Sequence, residues 1–473
     1  MNLISPANQQ EGQRTHQDAE ENKPAITDRR TQALLESPIL PTLGRLAAPN
    51  IFLAFMQGMV SLSDIWFISH IGTNGLAGIA LVFPMVMLMH MLSAGAIGGA
   101  VSSAIARALG AGDRGKAEQI AMHAFLVAVI FGLLFTTAMI LSGPNLFEIL
   151  GGKGPALNQA VIYATIIFGG AITVWFCNIF ASILRGTGNM MVPAVTLSIT
   201  AALQIPLCGA LVLGFGPIPG LGIAGAAISA VCIFGAAAIY FFIYIITGRS
   251  GLHVHWLKLR MSEAILKDIL GVGLISSLST VQTIASTVIV TGLVGTFGTA
   301  ALAGYGLGMR LELLQVPIIF AIGSALVPMI GVNTGAGNVK RARRITWTGA
   351  GIAACITGSV GISVALWPGL WADLFSSDPG VLHAGYTYLH IVGGCYIFLG
   401  IGIALFFASQ GAGKVLWPVL AGSARFLIAA VGGFVLVYYG GGGLSLLFMM
   451  IGLGMIVSGV GAAAAVKWLV WRS

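Results

Sequence analysis

Long apolar runs separated by short polar breaks organise this chain. Each run holds about 20 or more residues, enough to cross a hydrocarbon core of ~30 Å as a helix rising ~1.5 Å per residue. Twelve runs are predicted, at roughly 42–69, 77–107, 118–142, 157–183, 192–214, 223–247, 264–296, 303–332, 345–368, 381–408, 416–439 and 444–470. The expected fold is an all-α integral membrane protein with twelve transmembrane helices.

Polar residues in the breaks orient the chain. Arg114 and Lys116, then Arg185, then Arg249, Lys258, Arg260 and Lys267, then Lys340, Arg341, Arg343 and Arg344, then Lys414 fall in alternate connections. The other set of connections holds little beyond Lys153, with acidic Asp373 and Asp378. The positive-inside rule then puts both termini in the cytoplasm, as an even number of spans requires. The expected location is the cell inner membrane.

The chain also repeats itself. IGTNGLAGI (71–79) returns as FGTAALAGY (297–305), ALGAGDRGKAEQI (108–120) as NTGAGNVKRARRI (333–345), and LRGTGNMMVPAV (184–195) as SQGAGKVLWPVL (409–420). All three pairs lie about 225 residues apart in the same order, a separation of six helices. Two six-helix lobes, 41–248 and 263–473, are therefore expected as parallel, pseudosymmetric repeats about an axis along the membrane normal. Residues 249–262 would join them as a cytoplasmic linker, and the polar stretch 1–40 would be a structureless cytosolic tail. Two lobes able to rock about a central cavity favour a transporter over a static pore.

Composition supports this class. Of 473 residues, 57% are hydrophobic and 8% charged, with mean hydropathy +0.94, against about 25% charged in soluble domains. The 66 glycines suit closely packed membrane helices. The net charge of +8 sits in loops, so no nucleic-acid partner is expected. Cys177, Cys208, Cys232, Cys355 and Cys395 all lie within apolar runs with no metal-binding spacing, and are read as small buried hydrophobes.

Gly110, Gly112 and Gly115 match GxGxxG, but they follow a membrane helix and not a strand, so a tight turn is expected there. QGAGK (410–414) lacks the first glycine and the final Ser or Thr of a phosphate loop. No ATP site is evident, which leaves an ion gradient as the energy source. HExxH, GxSxG and paired catalytic carboxylates are also missing, so the chain is not expected to be an enzyme.

Of fifteen acidic residues, only Asp64, within MVSLSDIWFIS, and Glu312 lie within spans and away from the loops and their flanks, where Asp113, Glu118, Glu263 and Asp268 fall. An Asp at a span centre costs about 2.5–3.5 kcal/mol on insertion scales, so an intramembrane carboxylate is a functional candidate by default. The plainer alternative is a carboxylate held by neighbours for packing. Arg310 lies two positions from Glu312, a spacing at which helical side chains do not meet, so either residue needs a partner on another helix. Arg425 is deep enough to satisfy carbonyls or a carboxylate. His90, His123, His383 and His390 are read as structural.

DIWFISHIGTNGLAGIALVFP, ALGAGDRGKAEQ, LRGTGNMMVPAV and FGPIPGLGIAGAAISA resemble the multidrug and toxic compound extrusion (MATE) transporters, and the likeness runs through nearly all of the chain after residue 40. It implies efflux of bulky, often cationic, organic compounds in exchange for H+ or Na+. It also implies an ion-coupling aspartate at Asp64 and, fifteen residues upstream, a helix-bending proline at Pro49. Two departures stand out. QIPLC places Gln204 and Cys208 where many members carry Asn and a second Asp, and Gln282 and Thr283 stand where some carry a glutamate.

Sodium prefers several hard oxygen ligands, whereas a proton needs one titratable group. With Ser61, Ser63, Asp64 and Gln204 as the evident polar set, H+ is favoured over Na+ as the coupling ion. No metal and no organic cofactor are expected. Glu312, Gln282 and Arg310 are the candidate contacts for a small organic substrate, and the protein is expected to be monomeric in the lipid bilayer. The alternative is a flippase for a lipid-linked precursor, for which Arg107, Arg310 and Arg425 would supply cationic cavity groups.

Overall fold

The computed structural model describes residues 29–216, 219–254 and 261–471. Each predicted apolar run forms a membrane-length helical segment: α1 (Ile39–Ser69), α2 (Thr73–Gly110), α3 (Arg114–Ile149), α4 (Gly154–Gly169 and Ala171–Gly186), α5 (Met191–Leu213), α6 (Ile223–Ile246), α7 (Glu263–Gly295), α8 (Thr299–Gly335), α9 (Val339–Leu366), α10 (Pro379–Gly411), α11 (Leu416–Tyr438) and α12 (Leu444–Val470). The two parts of α4 are bent by 48° about Gly170. Among the described residues no β-strand forms.

Several helices outrun the apolar windows because polar caps finish them. Asp113 accepts from Lys116 N at 2.8 Å and starts α3, and Asn338, its counterpart in the second half, accepts from Arg341 N at 3.3 Å and starts α9. Gly112 (φ 77°) and Gly337 (φ 73°) precede these caps in the left-handed region, where a Cβ would be strained. The repeated GAGD and GAGN phrases are thus a turn followed by an N-cap, as the sequence context predicts.

The expected structureless tail ends sooner than residue 40. Arg29–Glu36 forms a short helix, with Leu34 and Thr31 buried. Asn333 Nδ2 donates to Leu34 O at 3.0 Å and the Arg341 guanidinium donates to Ser37 O, so this polar stretch is held by the end of α8 and the start of α9. Residues 1–28 of the tail and 255–260 of the linker lie outside the described residues. The cysteines also divide. Cys177 and Cys208 are buried, but Cys232 and Cys355 lie on the outer faces of α6 and α9, where a thiol suits lipid as well as a core does.

Glycines set the closest helix crossing, and it is reciprocal. A Cβ on Gly110 of α2 would strike Val332 O of α8, and one on Gly335 of α8 would strike Arg107 O of α2. Each residue and its contact exchange places under the repeat offset, as a two-fold axis requires. The axis passes between the ends of α2 and α8 where the basic connections lie.

The hydrophobic cores add a twist to this symmetry. One core joins α2–α6 and includes Leu53 of α1, yet Leu34, Leu43 and Ala47 pack instead with Ile319, Ile322 and Ala325 of α8 and with residues of α9, α10 and α12. In return Ile265 and Ile269 at the start of α7 join the first-half core, while Val290 and Leu293 near its end pack with the second half. The first helix of each half therefore changes partner along its length. In α1 the change falls between Ala47 and Leu53, a stretch that contains Pro49.

Reciprocity makes a prediction. Gly110→Val and Gly335→Val each force a side chain onto backbone and should each cost about 1–3 kcal/mol, the usual penalty for overpacking. Melting of the purified protein in detergent should fall by similar amounts for both.

Candidate functional site

Asp64 lies near the far end of α1, away from the basic connections, on the face that meets α5. Gln204 of α5 is 7% exposed and donates from Nε2 to Asp64 Oδ2 at 3.4 Å. Asp64 Oδ1 is buried without a hydrogen-bond partner. The fully buried Cys208, one turn on from Gln204, sits beside the carboxylate, and Ser229 of α6 approaches Cys208 in turn. Tyr163 of α4 and Phe67 pack against the same small cluster as Cys208. The carboxylate thus has one long amide contact, a thiol and an aromatic wall, which under-coordinates a charge at this depth.

The other two residues expected at this site stay apart from it. Ser61 is exposed and Ser63 half-buried, and neither hydrogen-bonds Asp64 among the described residues. Pro49 sits within α1, where its missing N–H leaves the Arg45 carbonyl without its helical donor. Asn50, the next residue, is 7% exposed and donates from Nδ2 to Ser324 Oγ of α8 at 3.0 Å. The proline is therefore flanked by a pin to the second half of the chain.

A second cluster of polar groups lines a cavity of about 230 Å³ in the second half. Arg425 Nη2 of α11 contacts Glu312 Oε1 of α8 at 3.2 Å, and both side chains line the cavity. Gln282 of α7 faces the same space and exchanges hydrogen bonds with Ser423, 2.9 Å from Gln282 Nε2 and 3.1 Å to Gln282 Oε1. Thr283 and Thr287 also line it, and their hydroxyls donate to the carbonyls one turn back, at 2.9 and 3.1 Å. Tyr305, Phe320 and Phe407 supply ring surface.

Arg310, expected beside Glu312 and Gln282, does not line this cavity. Its guanidinium lies 5.7 Å above the exposed Phe375 ring, outside the cavity. The helix geometry explains this, since positions two apart point to different sides and Glu312 takes the inward one.

The basic end is closed by polar contacts across the two-fold axis. Arg107 of α2 makes a fork to Asp268 of α7, with Nη2 at 2.7 and 2.8 Å from the two carboxylate oxygens, and also donates to Ser103. Ser103 donates to Gln410 O at 2.5 Å. The fully buried Gln410 of α10 donates from Nε2 to Gly95 O and Ala96 O at 3.0 and 3.2 Å, within the π-helical turn Met91–Ile97 of α2. A π-turn frees backbone carbonyls, and here a side chain from the other half takes them.

The family model described as MatE matches the chain twice, at residues 49–209 and 276–435. The chain is a MATE-family transporter. Similar proteins include a FAD transporter of Shewanella oneidensis, 28% identical over 383 residues and covering 78% of this chain and 82% of the relative. A probable multidrug resistance protein NorM of Thermotoga maritima is 26% identical over 383 residues, covering 80% and 81%. Among solved structures, an outward-facing multidrug resistance MATE transporter of the MOP superfamily aligns with TM-score 0.83 at 25% identity over 94% of this chain and 98% of that one. A MOP superfamily transporter from Pyrococcus furiosus, whose binding pocket is described as reversed in polarity, aligns with TM-score 0.85 at 25% identity, with the same coverage. Like the rest of its family, this MATE protein is a transporter and not an enzyme.

Tyr163, Ser229, Asn50 and the Arg107–Asp268 pair in this MATE transporter carried no mark in the sequence, because each partner comes from a distant helix. The histidines gave a clearer signal. His123 is fully buried, with Nδ1 2.7 Å from Gln119 O and Nε2 accepting from Ser262 N at 3.0 Å, which ties the end of the linker to α3.

Because the fork at Arg107 joins the halves at the closed end, Arg107→Ala should loosen that end first. Amide hydrogen exchange over residues 103–113 and 329–337 should quicken several-fold while the core of α10 stays protected. Arg107→Lys, which keeps the charge but has no second nitrogen to reach Ser103 while the first holds Asp268, should fall between.

Proposed function

We propose that this protein is a proton-coupled antiporter that exports organic compounds from the cytoplasm, with Asp64 as the coupling group. The observation that carries the reading is Asp64 itself: a carboxylate within a span, with one oxygen lacking any partner and the other in a single long contact to an amide. Such a group gains by taking a proton when it faces the outer side and by losing it when it faces the cytoplasm. Protonation would relax its hold on Gln204 and let the part of α1 beyond Pro49 shift against α5. The donor set favours H+ over Na+, because beside Asp64 it offers an amide nitrogen and a thiol, while Ser61 and Ser63 turn elsewhere.

Both termini would be cytoplasmic and the basic connections would face the cytosol of a bacterial inner membrane. The end around Gly110 and Gly335 would then be the cytoplasmic gate, closed in this arrangement. Residues 41–248 and 263–473 would act as the two lobes, and the cavity beside Glu312 and Gln282 as the substrate site, with no metal or organic cofactor needed. The flippase alternative draws little support, since Arg107 is tied to Asp268 and Arg310 lies outside the cavity. Only Arg425 of those three guanidiniums lines it.

Two measurements in everted vesicles test the coupling. Asp64→Asn should reduce proton-driven efflux of a fluorescent organic cation such as ethidium to background while the protein stays folded; undiminished efflux would sink the assignment. Collapsing the H+ gradient alone should stop wild-type efflux, and collapsing the Na+ gradient alone should leave it intact.

A further inference from the structure

We propose that the second-half cavity selects compact zwitterions: ligands whose ammonium and carboxylate lie a few ångströms apart on an aromatic body. This rests on the reading of that cavity as the substrate site and narrows its cargo. The Arg425–Glu312 contact is single and 3.2 Å long, far from the bidentate fork the same two groups are able to form. Glu312 Oε2 and the remaining Arg425 N–H groups make no hydrogen bond to protein among the described residues, and the two side chains are 12% and 28% exposed. Charges partly removed from water call for further hydrogen bonds, and both side chains line the cavity.

Charge decides what completes them. A simple cation drawn to Glu312 meets the Arg425 guanidinium beside it, and a simple anion drawn to Arg425 meets the Glu312 carboxylate. A ligand carrying both charges close together satisfies each and repels neither. The α7 hydroxyls point the same way, since Thr283 and Thr287 spend their protons on backbone carbonyls and offer only acceptor lone pairs. They suit the N–H groups of an ammonium. Rings of Tyr305, Phe320 and Phe407 line the rest of the space, whose size of about 230 Å³ matches one small aromatic body.

Three probes with one indole body separate the charges: tryptophan as the zwitterion, tryptamine as the cation and indole-3-propionate as the anion. In counterflow with reconstituted full-length protein, tryptophan should exceed both others by about tenfold, equivalent to ~1.4 kcal/mol of discrimination. Glu312→Gln should move the preference to indole-3-propionate, and Arg425→Gln to tryptamine. Joint exchange, Glu312→Arg with Arg425→Glu, should restore tryptophan, and joint neutralisation, Glu312→Gln with Arg425→Gln, should level the three without leaving a lone buried charge. A wild type that does not favour tryptophan, or single variants that change all probes alike, overturns the proposal.

Gly422→Trp on α11 and Ser286→Trp on α7 each place a large side chain in the cavity and test the underlying reading separately. If both variants melt normally and still export ethidium, the cavity is not the substrate site. If they block ethidium while the indole probes fail to divide by charge, the cavity reading stands and the zwitterion inference falls.

Discussion

The backbone contact between α2 and α8 is the constraint around which the molecule is arranged. Gly110 against Val332 and Gly335 against Arg107 bring two helices together where no side chain fits between them. Lipid gives helices no hydrophobic reason to associate, so close packing of small residues and polar contacts must do it. Here both coincide, for beside this crossing Arg107 and Ser103 tie α2 to Asp268 of α7 and Gln410 of α10. Fixing the halves at one end leaves them free to diverge at the other, and Asp64 lies toward that other end.

Exchange of the first helices gives this arrangement its mechanical character. The start of α1 packs with the second-half core and its later part with the first, and α7 does the reverse. Any rocking of one half against the other must therefore bend α1 and α7 along their length, because each is anchored at both ends to different bodies. In α1 the missing hydrogen bond at Pro49 lowers the cost of bending, and the Asn50–Ser324 contact fixes the pivot against α8. In α7 no proline marks the change of partner, though Gly271 has nothing near it and Gly273 lies against Ile97 of α2. On the proposed mechanism, a change of charge at Asp64 acts on a helix that already couples the two halves.

The fold was legible in the sequence because the bilayer makes strict demands. Every backbone group in hydrocarbon must be bonded internally, so an apolar run of sufficient length folds as a helix whatever its neighbours do. The repeated GAGD and GAGN phrases were legible for a related reason, as glycine followed by a capping Asp or Asn has few other uses at a helix junction. Side-chain partners obey no such rule. Arg425 and Glu312 are 113 positions apart and Arg107 and Asp268 161, and only packing decides that these meet while Arg310 turns outward. The helix Arg29–Glu36 escaped notice because its composition is that of a solvated tail, and its order comes from Asn333 and Arg341 reaching out to it.

The two intramembrane carboxylates differ in a way that bears on how coupling and cargo can be separated. Asp64 has no cation beside it among its contacts, which suits the proposed role as coupling group. Glu312 has Arg425 at 3.2 Å, so its carboxylate is paired with a guanidinium within the protein. A paired carboxylate can present its charge together with its partner's to a ligand. A carboxylate with only a long amide contact and a thiol beside it is less constrained, as the proposed coupling role requires. The chain holds one of each, in opposite halves, and α1 and α7 run between them.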